Sequence, residues 1–194
     1  MMDEFLNFFN FKFYETLESY NNHVLTVELS ELDIDDKESY VLDCYLQALH
    51  LFEMFFSNST HIIFVVNTVK DEGIVYRPRR IKSYLKNKKI VFSLNCLETE
   101  CFDGRFEKYI HYYSRCMFGD IDYKKLILHL CQHEMGYGIK SMDDYYFIHL
   151  EKNFCFRMLD DRFIDIIFRT NEDKLKFLEE FPEFLKFKEF VPEV

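Results

Sequence analysis

Apolar positions recur along this chain with two spacings, one near two residues and one near three and a half, and the changes between them divide it into elements. Phe5, Phe8, Phe9, Phe13, Leu17 and Tyr20 stand near helical spacing and predict a helix over 4–20, although Phe11 and Tyr14 blur the stripe. VLTVEL at 24–29 alternates and is rich in β-branched residues, as a strand would be. The acidic stretch SELDIDDKES reads as a loop ending in a helix N-cap at Asp35 or Asp36. The helix runs to about Phe56, with Val41, Cys44, Ala48, Phe52 and Phe55 on its core side. HIIFVVN at 61–67 is a continuous apolar run of strand length, expected of a central strand covered on both faces.

Further on, Pro78 bounds a short strand at IVYR, Arg79 to Leu85 form one or two turns of basic helix, KIVFSL at 89–94 predicts a strand and ETECFDG a loop. Residues 105–118 fit a helix or a long strand, and their Tyr, Phe and Ile content favours the strand. Asp122 caps a helix over YKKLILHLCQHEM, closed by Gly136. YYFIHL, FCFRML and IDIIF follow as three strand-like runs with tight polar joints, an antiparallel meander unless one run crosses elsewhere in the sheet. Thr170 and Asp173 then cap a helix through Phe181, which Pro182 interrupts. Strands and helices mix without strict βαβ alternation. The expected fold is therefore α+β, one domain over 1–194, with a mixed or mainly antiparallel sheet packed by helices and a C-terminal meander followed by a helix.

Composition adds a large core and a charge imbalance. With 48% hydrophobic residues, 23 Phe and 13 Tyr in 194 residues, the chain has ample surface to bury. Acidic residues outnumber basic ones by 34 to 24, a net charge of −10 that disfavours nucleic acid and anionic membranes as general partners and steers cationic ones inward. The basic residues are segregated: Arg77, Arg79, Arg80, Lys82, Lys86, Lys88 and Lys89 share a stretch free of Asp and Glu. An acidic start and the lack of a run long enough to span a membrane predict a cytoplasmic protein. Cys44, Cys96, Cys101, Cys116, Cys131 and Cys155 show no C-x-x-C pairing and read as reduced core thiols.

The candidate chemistry centres on NFCFRMLDDRFIDIIF at 153–168. Asp160, Asp161, Arg162 and Asp165 offer three carboxylates and a guanidinium within six residues, enough to bind a divalent cation, orient a substrate or grip a partner. The plainer expectation is a turn made by Asp160 or Asp161, with Arg162 paired to one carboxylate and Asp165 facing solvent from an edge. His129 and His133 are one helical turn apart beside Glu134, yet the order H-E-x-x-H is missing. No nucleophile-elbow, dinucleotide or Walker sequence is present, and no cofactor is implied.

YKKLILHLCQHEMG (123–136), DDYYFIHLEKNFCFRMLDDRFIDII (143–167) and the closing KLKFLEEFPEFL resemble the bacterial family catalogued as domain of unknown function 3885. The resemblance implies a helix, a strand, an aspartate-aspartate-arginine-glycine-x-aspartate turn and a final helix, mapped onto Asp160, Asp161, Arg162 and Asp165. Phe163 stands where the family has glycine, which implies a different turn or backbone strain. The family carries no established reaction. By kind, the chain is also similar to immunity proteins, small acidic cytoplasmic partners of secreted toxins. Together these point to a non-enzymatic binding protein that neutralises a cognate, basic toxin domain, with a metal-dependent enzyme using Asp160, Asp161 and Asp165 as the alternative. Nucleic-acid binding through Arg77 to Lys89 is a third reading.

Overall fold

The Asp36 carboxylate accepts hydrogen bonds from the Ser39 backbone N–H at 3.3 Å and the Ser39 hydroxyl at 2.7 Å, and so starts helix α1 (Lys37–Phe55). A computed structural model describes residues 23–30, 36–70, 79–102, 106–133, 143–158 and 162–186. The helix predicted over 4–20, the strand at IVYR, Gly136 and the pair Asp160 and Asp161 lie outside them.

Before α1 runs β1 (Val24–Glu28), and after it β2 (His61–Lys70), α2 (Arg79–Tyr84), α3 (Lys88–Phe92), β3 (Asn95–Phe102) and β4 (Phe106–Met117). Helix α4 (Tyr123–His133), strands β5 (Asp144–His149), β6 (Phe154–Met158) and β7 (Phe163–Phe168), and helix α5 (Asn171–Glu180) complete the order. The seven strands form one antiparallel sheet in the order β1-β7-β6-β5-β2-β4-β3, with β5, β6 and β7 as the meander. The α+β reading holds, as do the caps at Asp36 and Thr170; Thr170 Oγ1 accepts from the Asp173 N–H at 3.1 Å.

Two expectations fail. KIVFSL is not a strand, because Asn87 caps Lys88–Phe92 as helix α3 by accepting from the Lys89 N–H at 3.1 Å. ETECFDG is not simply a loop, because Glu98–Phe102 belongs to β3, which pairs with β4 from Asn95↔Tyr113 to Phe102↔Phe106. A terminal strand of a sheet tolerates charged residues that a central one does not.

Strand β2 shows why a central strand reads as continuously apolar. Ile62, Phe64 and Val66 face the helices, while Ile63 and Val65 face the opposite side, and all are buried. The helix side holds the main core, where Phe52 of α1 meets Phe156 at 4.5 Å and Phe147 at 4.9 Å between ring centroids, both edge-on. Helices α1 to α5 all contribute to this core. The other side carries a smaller cluster of strand residues, Val24, Ile63, Val65, Tyr113, Tyr146, Ile148, Cys155 and Ile167. Gly119, between β4 and α4, lies so close to the β2 approach that a Cβ would stand 2.8 Å from the Asn58 carbonyl oxygen.

No helix among the described residues is long and apolar enough to cross a membrane.

Candidate functional site

On the sheet face opposite the helices, strand register aligns one row of side chains across all seven strands: Thr26, Asp165, Arg157, Tyr146, Val65, Tyr113 and Asn95. A second row, two residues along, holds Asp144, Asn67, His111 and Leu97. The row on the other flank, Val24, Ile167, Cys155, Ile148 and Ile63, is apolar as far as β2 and ends on β4 at the exposed Arg115. Polar groups are thus gathered into a band inside a buried face, and hydrogen bonds or charge partners must offset their lost hydration.

Thr26 Oγ1 donates to Asp165 Oδ1 at 2.7 Å. Arg157, opposite Asp165 in the next strand, places Nη2 at 3.5 Å from Asp144 Oδ2 and its guanidinium carbon 5.3 Å from the Tyr146 ring centroid. His111 Nδ1 lies 2.6 Å from Asn67 Oδ1, so the neutral ring donates from Nδ1 for that amide orientation. The guanidinium therefore sits among two carboxylates and a ring face, an arrangement that fixes neighbouring strands in register.

The protonation states match that role. Burial pushes the His111 imidazole down to about 4, leaving it neutral near pH 7. Burial drives the Tyr146 hydroxyl far above the usual tyrosine range, with Arg157 opposing. Asp144 is raised by desolvation, and Arg157 pulls against the rise. Cys116 is pushed up to about 12 and Cys155, in the neighbouring apolar row, is raised further, both by burial, so neither is a thiolate nucleophile at neutral pH.

The two predicted site residues that are described, Arg162 and Asp165, separate. Asp165 is 1% exposed and belongs to an interior strand between β1 and β6, so the expectation of a solvent-facing edge carboxylate is overturned by strand order. Arg162 is exposed, with its guanidinium carbon 5.6 Å from the Phe163 ring centroid, and its carbonyl accepts from the Leu29 N–H at 2.7 Å. Phe163 opens β7 opposite Glu28 without positive φ; the one such non-glycine among the described residues is Asn153, at 55°. Of the two alternatives, a different turn or backbone strain, strain is absent at Phe163, because the residue already begins an extended strand. His129 Nδ1 lies 2.9 Å from the Tyr84 hydroxyl. Among the described residues no group of three or more His, Cys, Asp or Glu is placed to hold a metal ion.

A family model described as Domain of unknown function (DUF3885) matches residues 12–186. The chain belongs to this family. Neither the curated proteins nor the solved structures give a match. In this DUF3885 protein the polar band was not read from the sequence beyond Asp165, although its signal is present. Thr26, Arg157 and Asp165 each interrupt an apolar strand run, and Asn67 with Thr68 breaks the one in β2.

Proposed function

We propose that this protein is a non-enzymatic binding protein of the immunity kind, which neutralises a cognate toxin domain by covering it. The observation that carries the reading is the position of Asp165: the carboxylate that ends the acidic signature is committed to Thr26 inside the sheet. Such a residue builds a scaffold, and a scaffold acts through the surface it displays. A net charge of −10 favours a basic toxin domain and speeds its encounter. Leu42 and Leu46, 56% and 51% exposed one turn apart on α1, supply apolar anchors of the kind that give such interfaces their affinity.

Co-expression with the product of the gene immediately upstream tests the reading. A stable complex and survival of cells that otherwise die are expected. Failure of both would overturn it.

A further inference from the structure

The basic segment does not stay a feature of sequence alone; the fold adds lysines to it. Helix α2 meets the start of α4 through the Leu85–Ile121 bridge, the Asp122 N–H donating to the Tyr84 carbonyl at 2.6 Å and the Lys86 N–H donating to the Asp120 carbonyl at 2.8 Å. This junction brings Lys124 beside Lys86 at the Tyr123 ring, and Lys125 Nζ donates to the Ser83 carbonyl at 3.4 Å, next to Lys82 in the chain. Lys86 and Lys124 place their ammonium groups 5.9 and 5.8 Å from the Tyr123 ring centroid, and Lys125 lies 5.8 Å from that of Tyr84. Lys124 is also paired with Glu53 at 3.0 Å, so part of the local charge is balanced. Lys82, Lys86, Lys88, Lys89 and Lys125 are all exposed.

At the end of this patch stands Phe92, 88% exposed, the most exposed large hydrophobic residue among those described. Ile90 is buried and anchors α3 to the core, while Lys88 and Lys89 lie one helical turn before Phe92 on its own side. An exposed phenyl ring with two exposed lysines one turn before it on the same helix joins an apolar and a cationic surface.

We propose that this patch is a peripheral docking surface for an anionic lipid bilayer, with Phe92 entering the interface and the lysines lying over the headgroups. An anionic surface attracts each nearby Lys, and the attraction fades within a Debye length, about 8 Å at physiological salt. Asp120 and Asp122 stand at the junction itself, Asp120 accepting from the Asn87 side chain at 3.1 Å, and with Glu53 they offset part of the patch's charge. Helix α5, with Glu172, Asp173, Glu179 and Glu180, packs through Phe177 onto Phe154 of β6 and Phe168 of β7, whereas Tyr84 of α2 packs on Tyr145 of β5. The net charge of −10 therefore argues against indiscriminate binding and leaves an oriented contact open.

Nucleic acid fits the geometry less well. Helices of six and five residues are too short to lie along a duplex groove. A single strand needs several ring faces in succession on which to stack, and of the three rings here Tyr84 and Tyr123 are buried beneath lysines, which leaves Phe92 as a lone exposed ring.

The full chain is tested by flotation with vesicles of phosphatidylglycerol and, separately, of phosphatidylcholine, at low and at physiological ionic strength. Binding to phosphatidylglycerol that weakens with salt, and none to phosphatidylcholine, is expected. The double variant Lys88→Glu/Lys89→Glu lowers the partition coefficient by roughly tenfold or more and Phe92→Ala by several-fold, each with an unchanged melting temperature because the replaced side chains are exposed. Equal binding to both lipids, no binding to phosphatidylglycerol, or undiminished binding of the variants would overturn the proposal. So would tighter binding, at equal anionic charge, to a single-stranded or duplex oligonucleotide.

Discussion

Thr26 and Asp165 are 139 positions apart in the chain and 2.7 Å apart in the sheet, where the threonine hydroxyl donates to the carboxylate across the β1–β7 pair. The bond joins the first described strand to the last, and Arg157 is the register partner of Asp165 on the next strand. Removing the hydroxyl with Thr26→Val leaves a buried acceptor short of a donor, a loss of about 1–3 kcal/mol. Asp165→Ala leaves the part-buried Thr26 hydroxyl without its acceptor and removes a negative charge from beside Arg157, a loss of at least about 1–3 kcal/mol. Urea unfolding of the two variants checks both values, and stabilities equal to wild type would contradict the scaffold role.

His111 makes stability depend on pH. Its folded pKa, about 4, lies below the ordinary histidine value of 6.5, so between those two values the unfolded chain binds a proton that the folded one refuses. Stability is therefore unaffected by this group above pH 6.5, falls as pH drops toward 4, and loses no more below that. The full loss is on the order of 3 kcal/mol. The difference in unfolding free energy between wild type and His111→Gln, followed across this range, should shrink as the pH falls; a constant difference would remove the histidine as its source.

Much of the fold was legible because local chemistry and tertiary position agree. Asp36 and Thr170 cap the helices they announce, and the run Ile62 to Val66 is apolar throughout because β2 is covered on both faces. Where the two disagree, the reading failed. KIVF has strand-like composition, yet Asn87 turns it into a helix that buries Ile90 and exposes Phe92. Glu98 and its neighbours look like a loop because β3 ends the sheet and pairs with β4 alone among the described strands. The polar band was hidden for a different reason. Thr26, Asp165, Arg157 and Tyr146 come together only through the register of four strands, which no local spacing encodes.

Phe52 is the ring around which the helix-side core is assembled, with Phe147 and Phe156 edge-on and Phe118 at 6.1 Å. Phe52→Ala should destabilise by about 3–5 kcal/mol, whereas Phe52→Leu should cost less because it fills more of the cavity. Denaturant midpoints at unchanged slope would confirm the order; the reverse order would contradict it.

Gly119→Ala tests the close approach between the β4–α4 junction and Asn58. The added methyl would stand 2.8 Å from the Asn58 carbonyl oxygen and must displace backbone that also accepts from the Gly119 N–H at 3.0 Å. A loss of about 1–3 kcal/mol is expected, seen as a melting temperature lower by several degrees. A variant as stable as wild type would show that this junction yields freely.

The distinction between a binding protein and an enzyme rests finally on stoichiometry. If the proposed function is right and the upstream gene encodes a toxin domain, titrating that domain's activity with this protein gives a linear fall that ends at equimolar amounts, with the two recovered as one complex. Complete neutralisation by a small fraction of an equivalent, with the protein recovered free, would contradict the account.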